Sequence, residues 1–122
     1  MKIAVTSQSE KIDSEIDPRF GRCSYFLIID LETMNYDSIS NESAMASGGA
    51  GIQAAQRIAK EGVKAVITGN IGPNAFQTLN AAGIKAFTGA YGTIKEVIEK
   101  YKKGELTETE SANVGSHSGM RR

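Results

Sequence analysis

Gly62-Val63-Lys64-Ala65-Val66-Ile67-Thr68-Gly69 is followed 21 residues later by Gly83-Ile84-Lys85-Ala86-Phe87-Thr88-Gly89, nearly the same phrase. Each copy opens on a glycine suited to stopping a helix, runs through a short apolar stretch of strand character, and closes on a glycine suited to a turn. Between the two strands, Pro73 sits where a first helical turn tolerates it, and Phe76, Leu79 and Ala82 follow at helical spacing. Strand, helix and strand in that rhythm imply parallel pairing through a right-handed crossover. Two units are too few for a solenoid, so they read as consecutive crossovers within one sheet.

Working outward, Ile52, Ala55, Ile58 and Ala59 give the preceding helix a buried face, and Gly62 supplies its stop. Downstream, Thr93 and Glu96 form a capping box, and Ile94, Val97, Ile98 and Tyr101 fall at i, i+3, i+4 and i+7 of a third helix. Toward the N-terminus, Lys2–Ser7 and Tyr25–Asp30 read as buried strands and Met34–Asn41 as a polar edge strand. The polar segment from Gln8 to Ser24, with Asp17-Pro18 and Gly21, is too long for a hairpin turn; loops of that length in small domains are usually functional or disordered. Residues 1–104 are therefore expected to form a single α/β domain, and 105–122 a polar, flexible tail.

Composition narrows the function classes. A chain of 122 residues buries roughly two-thirds of its unfolded surface, enough for one core. Fourteen Lys+Arg balance fourteen Asp+Glu, which leaves no electrostatic footprint for nucleic acid. The balance is uneven: residues 1–50 hold 4 basic and 8 acidic side chains, and 51–122 hold 10 and 6. No apolar run approaches the ~20 residues of a bilayer span. Met1–Val5 leads directly into a strand without a secretory apolar region, so a cytoplasmic location is expected. One cysteine cannot make an internal disulfide or a self-sufficient thiolate-ligated cluster site.

With strands one, four and five parallel, the segments after their carboxyl ends meet at the ligand crevice usual for open α/β sheets. That edge gathers the Gln8–Ser24 loop, Gly69-Asn70-Ile71-Gly72-Pro73-Asn74 and Gly89-Ala90-Tyr91-Gly92-Thr93. The Ser47–Gly51 turn is expected at the opposite edge unless its loop folds back over the sheet. Glycine-entered helix N-termini offer free N–H groups to an anion, although ordinary turn chemistry also accounts for each glycine alone. Gly49-x-Gly51-x-x-Ala54 matches a dinucleotide fingerprint in letters only: it does not follow the first strand of a βαβ unit, and Thr68-Gly69 stands where an acidic residue is required. No nucleotide is expected. Cys23, in Arg19-Phe20-Gly21-Arg22-Cys23, reads either as a thiolate favoured by guanidinium neighbours or as a small buried hydrophobe. His117 is the sole imidazole, in the tail. Strands one and four carry no carboxylates for metal-dependent hydrolysis, and a Cys23–His117 nucleophile pair lacks an orienting group.

Phe20-Gly21-Arg22-Cys23 followed by Tyr25-Phe26, then Gly48–Ala55, then Gly69–Phe76, resemble in order the dinitrogenase iron–molybdenum cofactor biosynthesis family. This is the NifX/NafY/NifB-C-terminal-like domain in its small stand-alone form. The resemblance implies a ribonuclease-H-like α/β fold: a five-stranded mixed sheet of order 3-2-1-4-5, strand two antiparallel, with helices on both faces. It also implies non-enzymatic binding or carriage of an anionic iron–sulfur or iron–molybdenum cluster, received from donor proteins and passed to acceptors. The expected contact set is Arg19, Arg22, Cys23, Gly49, Gly51, Asn70, Gly72, Asn74 and Gly92, with Cys23 and His117 as metal ligands and the protein a monomer. The alternatives are a small-anion enzyme or sensor using the same edge for phosphate or carboxylate, and a protein-interaction module.

Overall fold

The computed structural model describes residues 1–45 and 48–110, and within them the apolar runs form one open sheet. Its strands are β1 (Lys2–Ser7), β2 (Tyr25–Asp30), β3 (Tyr36–Ser40), β4 (Ala65–Ile67), β5 (Lys85–Phe87) and β6 (Glu108–Thr109), in the order β3-β2-β1-β4-β5-β6. β1, β4 and β5 are parallel, and β2 runs antiparallel to both of its neighbours. The order 3-2-1-4-5 is as expected, but the described residues contain six strands where five were expected. Glu108–Thr109 pairs antiparallel with β5 at Phe87 and Ala86. So short and polar a strand carries no hydrophobic period; Thr109 Oγ1 secures it by accepting the Thr88 N–H at 3.0 Å.

Alternation along the central strands divides the core. Ala4, Phe26, Ile28 and Val66 face one side, where α1 (Ala50–Ala59) and α2 (Pro73–Ala81) pack through Ala54, Ala55, Ile58, Ala75 and Leu79. Ile3, Val5, Leu27, Ile29 and Ile67 face the other, under Ile94, Val97 and Ile98 of α3 (Ile94–Lys102). The Thr93–Glu96 capping box is present. Three local expectations change. β3 begins at Tyr36, because Met34 adopts φ 63° and its N–H donates to Asp30 at 2.7 Å, completing a turn. Ile52 is only partly buried, and Ala82 is the exposed C-cap residue of α2.

The long loop between β1 and β2 crosses the carboxyl edge of the sheet from face to face. Ile16 belongs to the α3 side and Phe20 to the α1/α2 side. Between them Asp17 straddles the end of β1: its N–H donates to the Thr6 carbonyl at 3.0 Å, and its carbonyl accepts from the Thr6 hydroxyl at 2.6 Å. Pro18 and Phe20 then pair with the turn after β4, Asn70 N–H to Pro18 O at 2.7 Å and Phe20 N–H to Asn70 O at 3.2 Å.

Candidate functional site

Where the loop lands on the α1/α2 face it closes a cavity of about 420 Å³, within the range usual for ligand pockets. One wall is Arg19–Arg22, the second Gly49–Ile52 at the start of α1, and the third Asn70–Ala75 around the start of α2. The start of α1 therefore joins the carboxyl edge rather than the opposite one. β3 runs parallel to β1, so its end at Ser40 lies level with Ser7, and a helix antiparallel to β4 begins where β4 ends.

Small residues bring these walls together. A Cβ on Gly21 would lie 3.0 Å from the Gly51 N and Cα, and one on Gly51 would lie 3.2 Å from the Ala75 Cβ. Neither α1 nor α2 has a side-chain cap, and α1 is entered through Gly49 at φ 72°. First-turn N–H groups and the positive ends of both helix dipoles are thus directed at the same space. Arg19 and Arg22 are exposed at its rim, with Arg22 Nη1 donating to the Ala44 carbonyl at 2.6 Å. The Asp17 carboxylate beside Arg19 pushes its guanidinium pKa up further. Phe20, Ile52, Ile71 and Pro73 make the remaining surface largely apolar.

Of the expected contact residues, Arg19, Arg22, Gly49, Gly51, Asn70, Gly72 and Asn74 line this cavity. Gly92 does not. The β5–α3 crossover passes over the other face, and the start of α3 is already occupied: Glu96 accepts the Thr93 N–H, and Ser14 O accepts the Ile94 N–H at 2.8 Å. Cys23 does not line it either. Its thiol is fully buried, donates to Phe20 O at 3.4 Å, and packs in the core with Phe20 and Phe26. Burial first, and the Asp17 carboxylate second, push the Cys23 pKa up to about 12, so of the two sequence readings the structure supports the buried hydrophobe. Arg19 turns to Asp17 and Arg22 to Ala44, which is why adjacency in sequence does not make the thiol acidic. His117 lies outside the described residues.

Sequence reasoning missed Asp17 and Asn41. Asn41 is buried and its amide donates to Gly21 O at 3.1 Å and Cys23 O at 2.9 Å, fixing the loop that forms the first wall. An Asp-Pro step two residues before an arginine was the available signal for Asp17, since aspartate there accepts the N–H of the residue two positions on.

The raised Cys23 pKa has a measurable outcome. The folded state keeps the thiol protonated, whereas the unfolded chain releases its proton near the ordinary value of 9.0. Stability from this group is complete below pH 9 and is lost as pH rises toward 12, at up to about 1.4 kcal/mol per pH unit. In urea melts, Cys23→Ala is expected to show a shallower alkaline decline than wild type; identical declines would contradict the assignment.

Among the described residues, no group of three or more His, Cys, Asp or Glu is placed to hold a metal ion. No helix among them is long and apolar enough to cross a membrane.

Residues 1–104 match the family model described as dinitrogenase iron-molybdenum cofactor. The fold is similar to the apo form of the orange protein from Desulfovibrio gigas, with TM-score 0.90 and 39% identity, covering 93% of this chain and 96% of that one. It is also similar to a Thermotoga protein assigned provisionally as NifB, with TM-score 0.77 and 33% identity, covering 99% and 97%. An uncharacterized protein of Methanocaldococcus jannaschii is 33% identical over 113 residues, 90% of this chain and 92% of that protein.

Proposed function

Because the chain belongs to the dinitrogenase iron–molybdenum cofactor family, we propose that it binds and carries a preassembled anionic metal–sulfur cluster of the iron–sulfur or iron–molybdenum kind, without acting on it as an enzyme. The observation that carries this reading is the chemistry of the cavity wall. Its polar side chains are Arg19, Arg22, Asn70 and Asn74, joined by helix N-termini, and no Asp, Glu, His or Cys is among the lining residues.

A bare metal ion finds no ligand set in such a wall. A cluster whose metal atoms already carry sulfide or thiolate presents negative charge to the guanidinium and N–H donors, and a polarisable surface to Phe20, Ile52 and Ile71. The donors hold the cargo by charge and hydrogen bonding, so it stays exchangeable, as transfer between a donor and an acceptor protein requires. A reducing cytoplasm suits both the cluster and a chain whose single cysteine is buried in the core.

Anaerobic titration with a synthetic iron–sulfur cluster capped by small thiolates tests the reading, with uptake followed by visible circular dichroism. Wild type and Cys23→Ala are expected to bind alike, and inorganic phosphate in large excess is expected not to displace the cluster. Loss of uptake in folded Cys23→Ala would restore the thiolate-ligand reading. Tight phosphate binding with no cluster uptake would favour a small-anion enzyme or sensor. His117→Ala in the same titration measures whether the tail imidazole contributes.

A further inference from the structure

We infer that Asp17 is a positioning residue for the cavity, holding the Arg19 guanidinium ready for an anion before one arrives. The inference rests on the reading of the cavity as an anion site.

Asp17 is 3% exposed, and its backbone is locked across the end of β1 by its hydrogen bonds to Thr6. The Thr6 hydroxyl is in turn 2.9 Å from that of Thr68, so the anchor spans the ends of the neighbouring strands β1 and β4. From this fixed point Oδ1 accepts the Arg19 backbone N–H at 3.0 Å and Nε at 3.2 Å, while Oδ2 accepts Nη2 at 3.3 Å.

A turn needs only one oxygen, the one that accepts the backbone N–H, and asparagine or serine supplies it. The second carboxylate oxygen has the guanidinium as its contact, and that contact is side-on. Nε and one edge of Nη2 are used, which leaves Nη1 and the other Nη2 hydrogen for a ligand. The Arg19 side chain is otherwise 62% exposed, and a long exposed arginine samples many rotamers. Fixing it in advance removes an ordering cost that would otherwise fall on binding. A buried carboxylate this close to an anion site is repulsive on charge alone, so its placement behind Arg19 is explained by orientation.

The experiment uses the same capped iron–sulfur cluster with wild type, Asp17→Asn, Arg19→Gln and the double variant, together with 15N relaxation of the Arg19 Nε–H in ligand-free protein. Asp17→Asn keeps the size and the Oδ1 acceptor. It is expected to bind the cluster about tenfold more weakly, to release it faster, and to show a mobile Arg19 side chain. In the Arg19→Gln background the same change is expected to cause no further loss of affinity. Arg19→Lys, which leaves Asp17 intact and keeps the charge but cannot form the side-on pair, is expected to lose as much affinity as Asp17→Asn. Unchanged affinity or a rigid Arg19 in Asp17→Asn overturns the role, as does a loss that adds to that of Arg19→Gln. Absence of uptake by wild type instead overturns the anion-site reading itself, and this inference with it.

Discussion

Replacing Arg19 and Arg22 together by glutamine is expected to weaken uptake of a thiolate-capped iron–sulfur cluster by at least about a hundredfold. Hydrogen bonds to charged groups contribute roughly 1.5–3 kcal/mol each, and the pair supplies the formal positive charge of the cavity wall. The loss is also expected to remove most of the salt dependence. Wild-type affinity declines as added salt shortens the screening length to about 10 Å or less, and the double variant lacks the charges being screened. Arg22→Gln alone is expected to cost about tenfold with a small change in stability, since its exposed guanidinium donates to a backbone carbonyl that water can satisfy. Arg19→Gln additionally leaves the buried Asp17 carboxylate without its cation, so circular dichroism must first establish that each variant is folded. Binding by the double variant within threefold of wild type would refute charge recognition.

Gly69→Ala is expected to destabilise the fold by about 3 kcal/mol, with Gly48→Ala as a near-neutral control. A Cβ on Gly69 would lie 2.7 Å from the Pro18 Cα and 2.9 Å from both its Cβ and its carbonyl oxygen. These are backbone and ring atoms with no rotamer to change. Moving Pro18 away breaks the Asn70 N–H to Pro18 O bond and pulls Arg19 from its bridge to Asn70, so the cavity opens along with the clash. A Cβ on Gly48 meets nothing within 4 Å. Urea melts of the two variants make the comparison; equal midpoints would show that Pro18 yields without cost.

The parts of this molecule that were legible in sequence are those in which one residue type repeats with one period. Ile94, Val97 and Ile98 and the alternating faces of β1 and β2 have no competing arrangement, and the strand order follows from the crossovers they impose. The site was legible as a set of loops but not as an assembled whole. Its second wall, the start of α1, depended on the direction of β3, whose polar residues give no sign that the chain returns to the carboxyl edge before α1 begins. Gly92 looked equivalent to Gly72 because both enter helices, and only the handing of successive crossovers to opposite faces separates them. Cys23 was ambiguous because neighbours in a tightly turning loop project in different directions. Its guanidinium neighbours point to Asp17 and Ala44 while the thiol points into the core.

The cavity walls come from residues 19–22, 49–52 and 70–75, three stretches separated by whole strands and helices. During synthesis, a ribosome that has not yet released residue 75 holds a chain with no finished place for cargo. On the proposed reading, cluster loading follows synthesis of the segment through residue 75, and a chain terminated before it lacks one wall of the site. The same dispersal makes occupancy a property of the whole domain. A cluster bound there as proposed would raise the free energy of opening any wall, so resistance to proteolysis should increase together across all three stretches.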